Sequence, residues 1–125
     1  MGRIYEYIEI NGDKFLALFD TGERSTYVTE KVARKLRTDD IGFEQKVLLG
    51  GKEHIVKKYC ELKCKLQNLS IITLARVIDN IGKDEEGKDI DILIGAITMQ
   101  EWGIVPVPEE EKIDMSHYPK EMVEF

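Results

Sequence analysis

Eight residues near the N-terminus, Phe15-Leu16-Ala17-Leu18-Phe19-Asp20-Thr21-Gly22, join five consecutive apolar side chains to a carboxylate and a glycine. A continuous apolar run of this length is typical of a β-strand that is buried on both faces. A charged side chain at the rim of a core is costly when it is unpaired. Asp20 therefore either forms an Asx-type turn, in which Gly22 supplies an unusual φ, or serves a chemical purpose.

The residues before this run predict its partner strand. Residues 4–10 show the two-residue alternation of a β-strand, and Asn11-Gly12 follows them directly. One face of this strand would carry Ile4, Glu6, Ile8 and Ile10, and the other Tyr5, Tyr7 and Glu9. Asn-Gly between two such segments is a strong hairpin signal. The sequence therefore predicts that a β-hairpin opens the chain, with residues 14–19 as its second strand.

The rest of the chain predicts more short strands and two short helices. Thr29 is a candidate N-cap for a helix over residues 30–37. A second helix is expected over residues 96–102, which Gly103 ends. Strands are predicted over residues 46–49, 53–59, 69–78 and 90–94, with a glycine turn at residues 50–51 and a solvated loop over residues 80–89.

These elements predict a mainly β fold, a compact and barrel-like domain with one or two short helices. A chain of 125 residues fits one domain, so residues 1–125 are expected to form a single unit. Pro106 and Pro108 open a polar tail over residues 109–125, whose structure the sequence leaves open.

Composition restricts the partners of the chain. The charged fraction is 34%, the net charge is −6 and the pI is about 5.0. Nucleic acids and anionic membrane surfaces attract clustered Lys and Arg, so neither partner is expected. The sequence has no signal-like apolar segment and no stretch long enough to span a membrane, which favours a cytoplasmic location.

Cysteines and histidines give no sign of a metal or covalent site. Cys60 and Cys64 would lie about 13 Å apart on one strand face, too far for a disulfide, so reduced and buried thiols are expected. His54 and His117 are interpreted as surface or loop residues. Since phosphate, dinucleotide and metallopeptidase motifs are absent from the sequence, no cofactor and no metal are predicted.

Three segments in order resemble the retropepsins and their single-domain cellular relatives. They are the Asp-Thr-Gly at residues 20–22 after an apolar strand, the glycine-tipped hairpin at residues 46–51, and the aliphatic run ending in glycine at residues 91–96. The resemblance spans about residues 8–105. It implies an aspartic endopeptidase that acts on peptides or unfolded proteins.

The resemblance also implies roles for individual residues. Asp20 would be the catalytic carboxylate, the Thr21 hydroxyl would lock two active-site loops together, and Gly22 would let the loop turn. Residues 46–51 resemble the flap that closes over bound peptide. The expected flap and substrate-binding residues are Leu48, Leu49, Gly50, Gly51, Ile55 and Glu23.

The chain has a single Asp-Thr-Gly, so each copy would supply one catalytic carboxylate. Two adjacent carboxylates share one proton, so that one acts as base and the other as acid, a pattern long known for this class of enzyme. The second carboxylate would have to come from another copy of the chain, and an isologous homodimer is therefore expected.

Glu23 departs from the small residue that the family usually has after the glycine. A further carboxylate beside the dyad would raise the apparent pKa values of the pair or select basic substrate groups, unless Arg24 neutralises it. Two alternatives stay open. The chain could be an inactive dimeric peptide-binding module of the same fold, or a purely structural domain in which Asp20 is a turn residue.

Overall fold

The computed structural model describes residues 3–120. The strands are β1 (Arg3–Ile10), β2 (Asp13–Asp20), β3 (Tyr27–Thr29), β4 (Thr38–Leu49), β5 (Lys52–Leu66), β6 (Leu69–Ile78), β7 (Ile92–Ile94), β8 (Val105–Val107) and β9 (Lys112–Asp114). The helices are α1 (Glu30–Ala33) and α2 (Ala96–Trp102), and a single 3-10 turn covers Pro108–Glu110. The fold is mainly β, as the sequence predicted.

Seven strands form one sheet in the order β1-β2-β7-β3-β6-β5-β4. One further residue pair, Glu9 with Lys65, joins β1 to β5. This pairing brings the sheet back on itself in a barrel-like manner. The strands β8 and β9 pair separately as a small hairpin.

The apolar run predicted to be buried lies in the middle of the sheet. Strand β2 pairs with β1 on one side in antiparallel fashion and with β7 on the other in parallel fashion. Residues 15–19 are all buried, since both neighbours and both faces of the strand are covered. The hairpin prediction at Asn11-Gly12 is confirmed by the continuous pairing of residues 3–10 with residues 13–20.

Two clusters of apolar side chains fill the interior. The larger cluster includes Phe19 and Ile92 and extends to the helices. The smaller cluster gathers Leu18, Tyr27 and Val56 from three different strands. Because residues 18 and 19 of β2 point into different clusters, the strand that ends at Asp20 is held from both faces.

Helix α1 is shorter than the predicted helix over residues 30–37. It ends at Ala33, and the backbone continues as tighter turns in which Lys35 bonds to the carbonyl three residues before it. Thr38 Oγ1 donates to the Ala33 carbonyl at 3.1 Å and starts β4. Thr29 is at the N-cap position but makes no side-chain cap bond, since its hydroxyl donates to Asp91 at 3.2 Å.

The expected polar tail is a structured segment as far as it is described. Strands β8 and β9 pair, and the side chains of Ile113 and Met115 are buried in the larger core cluster. The sequence left the structure of the tail open, because its few apolar side chains stand among many acidic ones and show no period. Residues 121–125 of the predicted tail lie outside the described residues.

Over residues 71–77, strand β6 is buried on one face only. Ala75 and Val77 are buried, whereas Ile72 and Leu74 are exposed. The helices found over residues 3–120 are all too short to cross a membrane.

Candidate active site

Asp20 is the last residue of β2, and its half-buried side chain folds back over a tight turn. Asp20 Oδ1 accepts a hydrogen bond from the Gly22 backbone N–H at 2.9 Å. The Glu23 N–H donates to the Asp20 carbonyl at 3.1 Å. The Asx-type turn is therefore present, and it fixes the orientation of a carboxylate at the end of a buried strand.

Gly22 provides space rather than an unusual backbone angle. Its φ lies outside the left-handed region, so the expectation of an unusual φ was wrong. A Cβ at this position would lie 3.2 Å from Asp20 Oδ1. The absence of a side chain at Gly22 therefore lets the backbone N–H approach the carboxylate.

Thr21 is exposed at the turn. None of the side-chain hydrogen bonds found over residues 3–120 involves its hydroxyl, although its neighbour Asp20 is bonded. The hydroxyl is thus accessible to a group outside this chain.

The segment around Gly95 lies directly behind the Asp20 loop. The Ala96 N–H donates to the Glu23 carbonyl at 2.7 Å, and the Ile97 N–H donates to the Arg24 carbonyl at 3.1 Å. A Cβ on Gly95 would collide with the carbonyl of Ser25. The two backbones are therefore in close contact, and the first two residues of α2 take part in it.

Three threonine hydroxyls brace the same loop from inside. Thr26 Oγ1 and Thr98 Oγ1 are 2.7 Å apart, and Thr73 Oγ1 is 2.9 Å from Thr98 Oγ1. Thr26 Oγ1 also accepts the Gly95 N–H at 3.1 Å. These hydroxyls connect the loop to α2 and to β6. None of the three threonines was predicted from the sequence, although one signal was present, the polar Thr98 on an otherwise apolar helix face.

Glu23 carries a carboxylate close to that of Asp20. The pKa of Glu23 is raised, first because burial disfavours its charged form and second because Asp20 is negative. Over residues 3–120 no ion pair joins Glu23 to Arg24. Among the described residues, Arg24 therefore does not neutralise Glu23 through an ion pair, and the loop holds two neighbouring acids.

The predicted hairpin at residues 50–51 is confirmed. We call residues 45–56 the tip hairpin; its strands pair in register up to Leu49 with Lys52. Gly50 and Gly51 have φ of 57° and 81°, the left-handed conformations that a two-residue turn of this kind requires. Leu48 and Ile55 lie on the exposed face, whereas Leu49 faces the smaller core cluster.

His54 was expected to be a surface residue, and this expectation was wrong. Its side chain is buried, and Nδ1 is 2.7 Å from Asp79 Oδ1. An alternating strand pattern places His54 on the inner face beside Val47, its partner on β4. His117 is exposed, as expected.

The two thiols are buried and free, as predicted. Burial raises the pKa of Cys60 to about 11 and that of Cys64 to about 12. Thiols are nucleophilic only as thiolates, so neither cysteine is suited to nucleophilic catalysis at neutral pH. Among the described residues, no group of three His, Cys, Asp or Glu side chains is arranged to hold a metal ion.

The architecture is a retropepsin-like fold. The chain resembles the retroviral protease-like domain of Ddi1 from Leishmania major over 93% of its own length and 90% of that chain, with a TM-score of 0.66 and 15% identity. It resembles EIAV protease, in complex with the inhibitor HBY-793, over 81% of its own length and 88% of that chain, with a TM-score of 0.56 and 18% identity. No protein-family model and no curated protein sequence matches the chain.

Proposed function

We propose that the chain is an aspartic endopeptidase that works as a homodimer, with Asp20 of each copy forming the catalytic dyad. The observation that carries the proposal is the position of Asp20. It ends a strand that is held from both faces, on a loop that the Gly95 segment and three threonine hydroxyls support from behind. The retropepsin-like fold adds independent support for a protease or protease-like domain.

The proposed chemistry needs neither a metal nor a covalent intermediate. One ionised Asp20 accepts a proton from water as the water attacks the scissile carbonyl, and the protonated Asp20 of the partner stabilises the developing oxyanion. The bond from the Gly22 N–H to Asp20 supports this role, because hydrogen bonding fixes the carboxylate before substrate arrives. The substrate would be an extended peptide or an unfolded protein.

The tip hairpin is proposed to act as the flap over that peptide. Leu48 and Ile55 are exposed on one face of it and Leu49 is turned to the other, so the three cannot line one pocket from the same side. We therefore assign peptide contact from the inner face to Leu49 at the turn. Leu48 and Ile55 are assigned to contacts with the partner's flap or with distant parts of the substrate.

The Thr21 hydroxyl is proposed to lock the active-site loops of the two copies together. An exposed hydroxyl beside the dyad is available to bond across a two-fold axis, which supports its role in locking the loops.

One seven-stranded sheet with two core clusters on it supports a single domain over residues 1–125.

A second candidate function is a dimeric peptide-binding module without turnover. The feature that favours it is Glu23, a second acid on the Asp20 loop, whose pKa is raised by partial burial and by the negative charge of Asp20. Incubation with an unstructured polypeptide, with and without a statine-type transition-state analogue, distinguishes the two. Cleavage that the analogue inhibits supports the peptidase, whereas binding of the analogue without any cleavage supports the module.

Dilution is expected to reduce the specific activity. A monomer has only one Asp20, so the catalytic rate per chain should fall as the dimer dissociates. Sedimentation and peptide cleavage are measured on the same dilution series, with Lys83→Ala, a change in the solvated loop, as the control. A monomer that keeps full activity at the lowest concentration would contradict the shared site.

Replacing Glu23 with Ala is expected to move the basic limb of the pH–rate profile to lower pH. The negative charge of Glu23 makes the shared proton of the dyad harder to lose, so its removal lowers the pKa at which that proton leaves. The profile is measured from acid to neutral pH, with Glu109→Ala as the control for loss of a distant carboxylate. A limb that stays in place or moves upward would separate Glu23 from the dyad.

A further inference from the structure

The tip hairpin has little backbone support from the rest of the molecule. Its strands pair only with each other, since pairing of β5 with β6 begins at Tyr59. On β4, the pairing with β5 is interrupted between Asp40 and Gln45. An isolated two-stranded hairpin is marginally stable in water. The position of the tip hairpin therefore depends on side-chain contacts with the body of the domain.

Over residues 3–120, two polar side-chain contacts tie the tip hairpin to the body. Arg76 Nε donates to Gln45 Oε1 at 2.8 Å, at the base of the hairpin. His54 Nδ1 and Asp79 Oδ1 are 2.7 Å apart, closer to the turn. Asp79 follows the last residue of β6 directly, so this bond joins the hairpin to the start of the loop over residues 79–91.

The two partners of the second contact differ greatly in exposure. The His54 side chain is 7% exposed and that of Asp79 is 80% exposed. Nδ1 carries the proton and donates, because an ionised carboxylate only accepts. The hydrogen bond from His54 is the main reason why the pKa of Asp79 is lowered.

This asymmetry suits a contact that opens and closes. When the bond breaks, the Asp79 carboxylate stays hydrated at the surface and leaves no buried charge behind. The His54 nitrogen, in contrast, belongs to a buried ring and loses its partner, so an outward movement of the hairpin that exposes it to water becomes more favourable. Breaking the bond therefore costs little for the exposed Asp79 carboxylate. For the buried His54 ring, it favours an outward movement of the tip hairpin.

We propose that the His54–Asp79 pair is a latch that holds the tip hairpin against the loop after β6. The consequence for peptide turnover rests on the proposed function, in which this hairpin covers the substrate. His54 and Asp79 are then positioning residues: neither touches the reacting atoms, and both act through the hairpin.

The test is amide hydrogen exchange on the full chain with Asp79→Ala. Because Asp79 is exposed, this change removes the latch without opening a cavity in the core. Exchange of the amides in residues 45–56 should become roughly three- to tenfold faster, the range expected for loss of one charge-assisted hydrogen bond that is partly screened by solvent. Amides of residues 62–66, which pair with β6, should not change.

Two further variants make the result specific. Asp89→Ala removes an exposed carboxylate of the same loop that pairs with Lys83, and it should leave exchange in the tip hairpin unchanged. Asp79→Asn keeps an oxygen that accepts from His54 and should restore most of the protection. If Asp79→Ala leaves exchange over residues 45–56 at the wild-type rate, or if Asp89→Ala accelerates it equally, the latch is overturned.

Kinetics on the same variants separates the latch from the proposed peptidase. Loss of the latch should raise KM for a peptide substrate more than it lowers kcat, because the dyad itself is untouched. Faster exchange in Asp79→Ala together with a wild-type chain that cleaves no peptide supports the latch and overturns only the peptidase. A fall in kcat with unchanged KM and unchanged exchange overturns the latch.

Discussion

Asp20→Asn should abolish peptide cleavage while the dimer and its stability are retained. General acid and general base catalysis each contribute roughly 10²- to 10⁴-fold, and the two-fold assembly removes both at once, so we expect a loss of at least about 10⁴-fold in kcat. Asn has the size of Asp, and its Oδ1 is still able to accept the Gly22 N–H. The fold should therefore persist, and relief of repulsion between two acids on the axis should favour it.

Asp20→Ala is the matched variant that tests the turn. Alanine removes the carboxylate and also the acceptor of the Gly22 N–H, so it should lower the free energy of unfolding by about 1 kcal/mol in addition to abolishing turnover. Melting temperature and cleavage rate are measured on both variants. Near wild-type turnover by Asp20→Asn would show that Asp20 is not catalytic. If Asp20 has only a structural role, Asp20→Ala should lose stability and the wild-type chain should show no cleavage.

The local elements were predictable from the sequence where short-range signals were strong. Asn11-Gly12 and Gly50-Gly51 mark turns by themselves, because few other residues adopt the required backbone angles. Helix α2 was predicted over its full length, because Gly103 ends it in the left-handed conformation. In such cases the chain determines its structure within a few residues.

Elements that depend on distant partners were missed. Strand β3 has three residues, too few for a periodic pattern, and it exists because Tyr27 pairs with Arg76 and with Leu93. The first part of β4 forms because Thr38 pairs with Cys60 in β5. These pairings join residues far apart in the chain, so local propensity does not reveal them.

The candidate site was predictable only in part, because some of its contacts also join residues that are far apart in the chain. The Asp-Thr-Gly motif and the segment ending at Gly95 are each short and continuous in the sequence, so the resemblance to the retropepsins identified both. The bond between Thr26 and Thr98 spans 72 positions, and His54 meets Asp79, its hydrogen-bond partner, across 25 positions. Supporting contacts of this kind follow from the tertiary fold and have no separate sequence signature.

Gly95→Ala should damage both the fold and the loop that carries Asp20. The backbone at Gly95 has φ of −94° and ψ of 177°, an extended conformation that alanine adopts readily, so backbone strain is not the reason. The reason is space. An added Cβ would collide with the Ser25 carbonyl and would lie 2.7 Å from the Arg24 carbonyl oxygen. Both atoms belong to backbone and cannot rotate away, so the loop that carries Asp20 has to shift.

Such overpacking typically costs about 1–3 kcal/mol, and we expect the free energy of unfolding of Gly95→Ala to fall by that amount. Turnover should fall by roughly 10²-fold, because a displacement of about 1 Å at a catalytic group has an effect of this size. Gln100→Ala, an exposed position on the same helix, is the control and should change neither quantity. Denaturant unfolding and peptide cleavage are measured on both variants. Wild-type stability and turnover in Gly95→Ala would show that the Gly95 segment does not pack against the Asp20 loop in solution, and the support proposed for the catalytic carboxylate would be lost with it.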